Sequence, residues 1–385
     1  MSNQTLTMLA VGDIILGRPN ADANFNLTAP ALKSADIAIG QLEIPFTNRA
    51  IKSCYLEIPK EIPVMQGFDT ENISAFSFAG FDVLTLASNH IWDSGVPGIE
   101  DTISELRKHK IAFVGAGMNI DEARKPVIIE RDGTRFGFLN YNCVGPKLTW
   151  ATPDKPGCAY IHVITHYELD HPTPGSNLAK VYTFAEPQST GAMVEDIQKL
   201  RPLCDILVVA FHKGIGFQPI DIAWYEQQIS YTAIDAGADL ILGHHAHILK
   251  GIECYKEKTI FHGLGNFVIV MPPYDQKPVT WAAQQWAERM KEIFGGHNTP
   301  DTADSGYPWD SETAMTMIAK CTVEDRQISR VSYLPCLINN LGQPEILKND
   351  ERGQQVFDYV DKITGKAGLN PVFKWSGDEV VIYSR

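Results

Sequence analysis

The strongest constraint on the fold is an alternation of short apolar runs with amphipathic helical stretches through residues 1–270. Such an alternation is typical of an α/β protein, in which helices cover a layered sheet. Helices are predicted at 97–110, 192–200 and 222–236, and the last one ends at Gly237, where a C-cap glycine belongs. The strands are predicted at Leu6–Val11, Ile37–Leu42, Val83–Ala87, Ala112–Val114, Ile206–Ala210, Leu240–Leu242 and Ile260–Phe261.

Two segments break this alternation and predict antiparallel hairpins. The dipeptide Asp132-Gly133 separates residues 127–130 from residues 135–140 and is a strong signal for a two-residue turn. Residues 318–323 and 328–334 form the second apolar pair. We expect these hairpins to build a second sheet or a sheet edge that packs on the parallel core.

The length of 385 residues allows one large domain with insertions, or two domains. We assign residues 1–270 to the α/β core, with an irregular insertion at about 145–190 that is rich in Pro, Thr, His and Gly. Residues 271–312 are interpreted as a lid-like insertion, with a surface excursion around its own small core as an equal alternative. Residues 313–385 are expected to supply C-terminal strands and a helix that complete the core.

Composition and charge exclude several classes of partner. Hydrophobic residues make up 44% and charged residues 21% of the chain, which is ordinary for a globular protein. The formal net charge of −13 argues against nucleic acid, because binding to a phosphate backbone depends on clustered Lys and Arg. The sequence also holds no apolar run of about 18 residues, so we expect no membrane span.

Cysteine usage and the N-terminal segment indicate a cytoplasmic protein. The 7 cysteines are scattered and odd in number, a pattern that fits free thiols in a reducing compartment better than disulfides. The first apolar stretch runs directly into Gly12-Asp13 and is interpreted as a core strand rather than as a signal peptide.

Residues that can bind metal or transfer protons follow five of the predicted strands. In open α/β sheets, ligands bind at the carboxyl ends of the strands, so we expect these distant residues to converge. They are Asp13, Glu43, Asn89 with His90, His212, and the run His244-His245-Ala246-His247.

Each of these residues also has an ordinary structural interpretation. Asp13 alone is more simply a turn or N-cap residue, and His212 alone is more simply a core imidazole. The run at 244–247 differs, because three close imidazoles repel one another when protonated and are costly to bury without a ligand. Neutral imidazole is a common metal ligand, so here a metal site is favoured. The recurrence at five strand ends extends that interpretation to the other residues.

Two basic residues stand next to the proposed ligands. Arg18 and Lys213 are candidates for neutralising an anionic substrate, and Lys213 is a candidate base if burial lowers its pKa. Arg49 and Tyr55 are weaker candidates on a loop. Asn266 is expected to position a loop rather than to bind substrate.

Six motifs carry a family resemblance over roughly residues 6–270: VGDIILGR, QLEIPFT, LASNHIWDSG, VVAFHKG, AGADLILGHHAHILKGIE and GLGNF. With these motifs the chain resembles the CapA, or poly-γ-glutamate capsule-synthesis, family, which is similar in turn to the calcineurin-like metallophosphoesterases. The resemblance implies a four-layer α/β/β/α sandwich of the metallophosphoesterase type, with insertions and with a metal centre at the strand ends.

The resemblance also implies a role for each residue. His90 would be the catalytic acid. Asp93 would orient the imidazole of His90, unless Asp93 is only a turn residue. His244 is the additional histidine of this family's longer form, so which two of the three clustered histidines bind metal stays open. The implied metal ligands are Asp13, Glu43 as the bridging carboxylate, Asn89, His212, His245 and His247.

Two departures from the phosphoesterase pattern bear on the metal count. Ile15 occupies the position where phosphoesterases usually have a histidine, so one metal subsite lacks a nitrogen ligand. Glu43 replaces an aspartate and lengthens the bridging side chain. We therefore expect one or two divalent ions, and Mn, Zn and Fe all suit this mixture of oxygen and nitrogen ligands.

Three functions are compatible with these residues. The leading hypothesis is metal-assisted hydrolysis of an amide or ester in a small or peptide-like acidic substrate, with His90 protonating the leaving group. The second is an epimerase or isomerase in which His90 and Lys213 act as opposed acid and base beside a carbonyl. The third is a non-catalytic accessory role in polyglutamate-type polymer synthesis. The substrate and the oligomeric state do not follow from the sequence.

Overall fold

The structure is a computed structural model that describes residues 5–49, 68–168, 180–270 and 311–384. Tyr55 and almost all of the segment predicted as a lid, residues 271–312, lie outside the described residues. Within the described ranges, the chain forms two large sheets that face each other, with helices on their outer faces.

The first sheet combines parallel strands from the N-terminal part of the chain with antiparallel strands from the C-terminal part. Its described strands are β1 (Leu6–Leu16), β2 (Ile37–Leu42), β3 (Val83–Thr85), β4 (Ala112–Val114), β15 (Asn266–Val270), β16 (Met315–Glu324), β17 (Gln327–Ile338), β18 (Pro344–Ile346), β19 (Val372–Ser376) and β20 (Glu379–Tyr383). They are ordered β19-β20-β17-β16-β1-β2-β3-β4, with β15 beside β1 and β18 beside β17. Residues 315–383 thus extend the sheet that residues 6–114 begin.

The second sheet has the order β13-β14-β12-β11-β7-β6. Its described strands are β6 (Val127–Arg131), β7 (Thr134–Asn142), β11 (Ile206–His212), β12 (Leu240–His244), β13 (Ile252–Tyr255) and β14 (Lys258–Phe261). Two small antiparallel pairs lie outside the large sheets: β5 (Ala116–Gly117) with β8 (Gly157–Cys158), and β9 (Val163–Glu168) with β10 (Lys180–Ala185).

Capping residues mark the ends of several helices. For example, Glu186 accepts hydrogen bonds from two backbone N–H groups at the start of α5, and α6 ends at Gly237, which has a positive φ of 125°. The described α-helices are α1 (Ala29–Ser34), α2 (Ser74–Ala79), α3 (Gly95–Lys108), α4 (Ile120–Ala123), α5 (Pro187–Leu200), α6 (Trp224–Ala236) and α7 (Glu351–Lys366). Short 3-10 helices lie at Ala21–Phe25, Thr70–Ile73, Lys147–Thr149 and Arg201–Leu203.

Side-chain alternation along the strands creates the layers. In β7, Phe136 and Phe138 point into the space between the two sheets, whereas Leu139 and Tyr141 pack with residues of α5 and α6. Helices α1, α2 and α3 cover the opposite face of the first sheet. Apolar residues of α7 join the core between the sheets. The expected four-layer α/β/β/α sandwich is therefore confirmed.

The predicted strands agree with the structure in position but not always in length. Strands β2 and β4 have the predicted bounds. Strand β1 continues past its predicted end at Val11 to Leu16, because β15 pairs in parallel with its second half across an irregularity between Asp13 and Ile14. Asp13 therefore lies within a strand rather than after one. His212 and His244 are likewise the last residues of β11 and β12.

Both predicted hairpins are confirmed. The turn at Asp132-Gly133 joins β6 to β7 in the second sheet, and β16 pairs with β17 in the first sheet. The expectation of an irregular segment at about 145–190 is only partly right, since this stretch contains β8, β9, β10 and the start of α5. In the described parts of the chain, no helix is long and apolar enough to cross a membrane.

A close backbone approach at Gly12 brings β1 against the residues that lead into β15. A Cβ atom at Gly12 would lie 2.0 Å from the carbonyl oxygen of Gly265. The next residue, Asp13, donates its backbone N–H to that same oxygen at 3.0 Å. Only glycine at position 12 allows this approach, and the position of Asp13 depends on it.

We predict that Gly12→Ala lowers the free energy of unfolding by about 1–3 kcal/mol, because the added methyl group forces the two backbones apart. Gly191→Ala is the matched control, since Gly191 is an exposed residue of α5 and a Cβ atom there would meet nothing within 4 Å. It should raise stability by about 0.5–1 kcal/mol through helix propensity. Urea denaturation measures both variants, and equal effects of the two substitutions would contradict the prediction.

Candidate metal centre

Two buried carboxylates form the middle of the site. Asp13 is 0% exposed and Glu43, the residue after β2, is 1% exposed. The Oδ2 atom of Asp13 accepts a hydrogen bond from the backbone N–H of His245 at 3.0 Å. Asp13 Oδ1 and both carboxylate oxygens of Glu43 have no hydrogen-bond partner among the described residues. Buried polar atoms without partners are rare, so these three oxygens indicate a ligand.

His247 approaches both carboxylates. Its Nε2 atom lies 3.1 Å from Glu43 Oε1, a contact that lacks hydrogen-bond alignment, and its Nδ1 atom lies 3.8 Å from Asp13 Oδ2. One potential ligand atom from each of Asp13, Glu43 and His247 falls within 4.8 Å of the others. This trio is the most compact group of metal-capable side chains described for the site.

A second group of potential ligands consists of Asn89, His212 and His245. His212 Nε2 is 2.7 Å from Asn89 Oδ1, and the rings of His212 and His245 have centroids 4.8 Å apart. Two ligands that are each about 2.1 Å from one ion at right angles would lie about 3 Å apart, close to the His212–Asn89 separation. The Nδ1 atoms of His212 and His245 have no hydrogen-bond partner in the described part of the chain.

The turn after β12 aims its histidines through an uncommon backbone. His245 has a φ of 87° and His247 a φ of 54°, both in the left-handed region that residues with a side chain rarely adopt. Such strain occurs most often at functional sites, where the surrounding structure enforces it. In this turn it lets the His245 N–H reach Asp13 while the His247 ring faces Glu43.

His244 has a different environment from the other two clustered histidines. Its Nε2 atom lies 3.2 Å from the backbone oxygen of Val11, and its side chain is 1% exposed. Burial lowers the pKa of His244 to about 4. The structure therefore places His244 against the β1 backbone, whereas His247 contacts the carboxylates.

His90 lies at the edge of the site with Asp93 behind it. The Nδ1 atom of His90 is 2.7 Å from Asp93 Oδ2, and its Nε2 atom is 3.9 Å from Glu43 Oε1. Burial lowers the pKa of His90, but the Asp93 carboxylate outweighs it and raises that pKa to about 8. The His90 side chain is 23% exposed, so its ring reaches both the carboxylates and solvent.

The charges of the site are strongly coupled. Burial and the negative charge of Glu43 raise the pKa of Asp13 to about 8. Burial opposes the charge on His247, but Glu43 and Asp13 raise its pKa to about 9. Burial and the neighbouring His247 lower the pKa of His245 to about 3, and burial likewise lowers that of His212. The neutral imidazoles of His212 and His245 can act as metal ligands directly, whereas His247 would release its proton when a cation binds.

The residues present therefore fit a divalent cation, with one subsite poorer than the other. Ile15 is 2% exposed and belongs to the apolar cluster between the first sheet and its helices. It supplies no ligand atom, and its side chain fills a layer outside the site. His247 is thus the imidazole that lies near Asp13, whereas His212 and His245 lie beside each other.

The structure does not bring Lys213 to the site, which corrects the expectation of a base or anion-binding group there. Its ammonium lies 3.2 Å from the backbone oxygen of Glu226, 3.0 Å from Ser230 Oγ and 3.0 Å from His262 Nδ1. Successive residues of a strand point to opposite faces, so His212 faces the other sheet and Lys213 faces α6. Burial lowers the pKa of Lys213 to about 8.

The other two basic candidates, Arg18 and Arg49, lie in different parts of the first half of the chain. Arg18 lies two residues after the end of β1 and is partly buried. Arg49 donates hydrogen bonds to Asp101 and Glu100 of α3, so its guanidinium is engaged on that helix.

Three residues at the site escaped the sequence analysis or were assigned a lesser role. Asn140 accepts a hydrogen bond from Ala87 N at 2.6 Å and donates to Ala210 O at 3.2 Å, which links the end of β3 to the second sheet. The Phe217 ring stacks on His247 with centroids 5.9 Å apart. Asn266 Oδ1 lies 2.9 Å from His247 Nδ1. Of these three residues, Asn140 could have been found from the sequence, because it is a polar residue at an inward-facing position of an otherwise apolar strand.

Comparison with known proteins identifies the family. Residues 7–270 match the family described as bacterial capsule synthesis protein PGA_cap, and this match covers more than half of the chain. The chain belongs to this family, so the resemblance to CapA proteins that its motifs carry is confirmed.

Three curated relatives illustrate the match. Capsule biosynthesis protein CapA of Bacillus anthracis is 30% identical over 274 residues, which are 69% of this chain and 60% of that protein. PGA biosynthesis protein CapA of Bacillus subtilis (strain 168) is 30% identical over 278 residues, 69% of this chain and 64% of that protein. A probable polyglutamine synthesis accessory protein of Mycobacterium tuberculosis is 28% identical over 214 residues, 54% of this chain and 50% of that protein. The chain thus spans between 50% and 64% of the length of these relatives.

Two solved structures are similar at low sequence identity. A hypothetical protein from Thermus thermophilus has a TM-score of 0.46 and 12% identity, covering 86% of this chain and 98% of its own. The calcineurin-like phosphoesterase YfkN from Bacillus subtilis has a TM-score of 0.37 and 11% identity, covering 95% of this chain and 98% of its own.

We predict that the metal-free protein loses stability as the pH rises from about 7.5 to about 8.5, above the range in which the buried histidines with lowered pKa values act in the opposite direction. Because Asp13 and His247 have pKa values of about 8 and about 9, the folded chain keeps protons that the unfolded chain has released. Folding then takes up protons, so the free energy of unfolding falls as the pH rises through this window. Thermal melts in chelator at several pH values measure the slope. Asp13→Asn should make the slope shallower, and a wild-type stability that rises across the window would contradict the prediction.

Proposed function

We propose that this chain is a metal-dependent hydrolase that cleaves an amide or ester bond in a peptide-like, acidic substrate. The observation that carries the proposal is the pair of buried carboxylates, Asp13 and Glu43, which have three oxygens without a hydrogen-bond partner among the described residues; His247 and the part-exposed His90 lie beside Glu43. An electrophilic centre and a proton donor at its edge are the two elements that hydrolysis of a carbonyl compound needs.

Two groups of side chains would hold the metal. Asp13, Glu43 and His247 form one subsite. For a second subsite, Asn89, His212 and His245 are the proposed ligands, and Glu43 is the proposed bridging carboxylate. A divalent cation held by these residues would polarise a carbonyl and lower the pKa of a water molecule. We propose one or two ions, of Mn, Zn or Fe, because these metals accept mixed oxygen and nitrogen ligands.

His90 is the proposed general acid. Its Nδ1 atom is held by Asp93 at 2.7 Å, so Nε2 is the nitrogen that faces Glu43 and the reaction site. With a pKa of about 8, the ring carries a proton at neutral pH that it can donate to a departing amine or alkoxide. Asp93 fixes the orientation of the imidazole and stabilises its charged form.

The substrate class rests on the family and on the position of one arginine. Relatives of this chain are named for capsule biosynthesis, PGA biosynthesis and polyglutamine synthesis, which favours a substrate with peptide-like bonds and acidic groups. Arg18 follows β1 a few residues beyond Asp13 and is the proposed group that binds a substrate carboxylate.

The proposed location is the cytoplasm. The six described cysteines are free thiols, which supports this location.

The epimerase alternative loses its support in the structure. That reaction needs a base on the face of the substrate opposite His90, and Lys213 is the residue expected from the sequence to supply it. Lys213 instead contacts Ser230 and His262 on the far side of the second sheet. An accessory role in polymer synthesis stays as an outcome of the experiment below.

We predict that the protein loaded with Mn²⁺ releases free amine from γ-linked glutamate oligomers. Asp13→Ala and His247→Ala should abolish both metal binding and turnover, because each removes a ligand of the first subsite. Arg49→Ala is the control and should keep full activity, since Arg49 bonds to α3 rather than to the site. Elemental analysis and an amine-release assay measure the two properties.

Full activity of chelator-stripped protein would contradict the proposal. Tight Mn²⁺ binding without cleavage of any amide or ester substrate would favour the accessory role, and cleavage of bis-p-nitrophenyl phosphate alone would favour a phosphoesterase.

We further predict that His90→Gln lowers kcat by about 10²–10⁴-fold, the usual contribution of a general acid, and leaves Mn²⁺ affinity unchanged. Asp93→Asn should lower kcat by less, because the imidazole stays present but loses its charged partner. Steady-state kinetics combined with isothermal titration calorimetry separate the two effects. A loss of metal affinity in His90→Gln that matches its loss of kcat would show that His90 is a ligand and not an acid.

A further inference from the structure

Asn266 is the first residue of β15 and lies directly beside Asp13 in the parallel pairing of β15 with β1. Its side chain is 0% exposed. The amide oxygen lies 2.9 Å from His247 Nδ1. Asn266 thus touches a proposed metal ligand on the side that faces away from Glu43.

The surrounding carbonyl groups fix the orientation of the Asn266 amide. Its Nδ2 atom donates to the backbone oxygen of His247 at 2.9 Å and to that of Thr313 at 3.3 Å. A carbonyl oxygen can only accept a hydrogen bond, so the amide nitrogen must face these two groups. The amide oxygen therefore faces His247 Nδ1, and this nitrogen must carry the proton that the amide oxygen accepts.

From these contacts we infer that Asn266 is a positioning residue that selects which nitrogen His247 offers to a cation. With Nδ1–H donated to Asn266, the ring presents Nε2, which lies 3.1 Å from Glu43 Oε1 at the centre of the site. Hydrogen bonds of this kind orient metal-binding histidines and fix their tautomer. The inference rests on the proposed metal centre and extends it to a residue that binds no metal itself.

A competing arrangement of the ring shows why a positioning residue is needed. His247 Nδ1 also lies 3.8 Å from Asp13 Oδ2. Without Asn266, rotation of the ring would let Nδ1–H donate to Asp13 and would turn Nε2 away from Glu43. The Asn266 amide holds the ring in the one orientation that leaves both carboxylates available for a cation.

Two substitutions of Asn266 separate the contribution of the amide oxygen, which accepts a hydrogen bond, from that of the amide N–H groups, which donate them. Asn266→Asp keeps an oxygen for His247 Nδ1 but loses the N–H groups for the two carbonyls, whereas Asn266→Leu loses both. We expect the melting temperature to fall in both variants. Mn²⁺ affinity, measured by calorimetry on chelator-stripped protein, should fall about 10–100-fold in Asn266→Leu and stay at or above the wild-type value in Asn266→Asp.

Asn72→Leu is the matched control. Asn72 is also buried, and its side-chain amide donates to a backbone oxygen, that of Leu16, at 2.9 Å. This substitution should lower the melting temperature without changing Mn²⁺ affinity. Equal losses of affinity in Asn266→Asp and Asn266→Leu, or no loss in either, would overturn the inference.

A metal-independent measurement keeps this inference distinct from the proposed function. Crystals of the chelator-stripped variants should show His247 Nδ1 within hydrogen-bond distance of residue 266 in Asn266→Asp, and a rotated ring in Asn266→Leu. If the wild type binds no Mn²⁺, the proposed metal centre fails, but the ring orientation still decides the role of Asn266. An unrotated ring in Asn266→Leu would overturn that role even if metal binds.

Discussion

The structure depends on two carboxylates that are buried together without enough hydrogen-bond donors. Removing a carboxylate from water costs several kcal/mol even after the protein relaxes, and a second negative charge nearby adds to that cost. Asp13 accepts one backbone N–H, and the rings of His247 and His90 lie near Glu43, but three carboxylate oxygens have no hydrogen-bond partner among the described residues. A divalent cation would compensate both the charge and the missing hydrogen bonds, which is the physical basis of the proposed metal centre.

The two-sheet architecture holds these carboxylates in place. Asp13 lies where β1 changes its pairing register, between β2 on one side and β15 on the other. Glu43 follows β2, and its backbone N–H donates to Ile14 O at 3.2 Å. The histidines come from the second sheet, and Asn140 connects that sheet to the loop that carries Asn89 and His90. The site therefore exists only when both sheets are assembled.

The sequence predicted the strands through their short apolar runs, the hairpins through a turn dipeptide and paired apolar runs, and the convergence of polar residues through their positions at the ends of strands. The sequence could not predict the direction in which the Lys213 side chain points. That direction depends on β11 continuing through His212, which places the next side chain on the face of α6. Nor could it assign Asn266 a role beyond positioning a loop, since its partner His247 is distant in sequence and the contact arises from tertiary packing.

The most direct test of the metal centre is anomalous diffraction at the manganese edge from crystals grown with Mn²⁺. The account predicts an anomalous peak enclosed by Asp13, Glu43 and His247, with the unpartnered carboxylate oxygens as ligands. It would be contradicted by a site without a peak in which those oxygens accept hydrogen bonds from water or from neighbouring side chains.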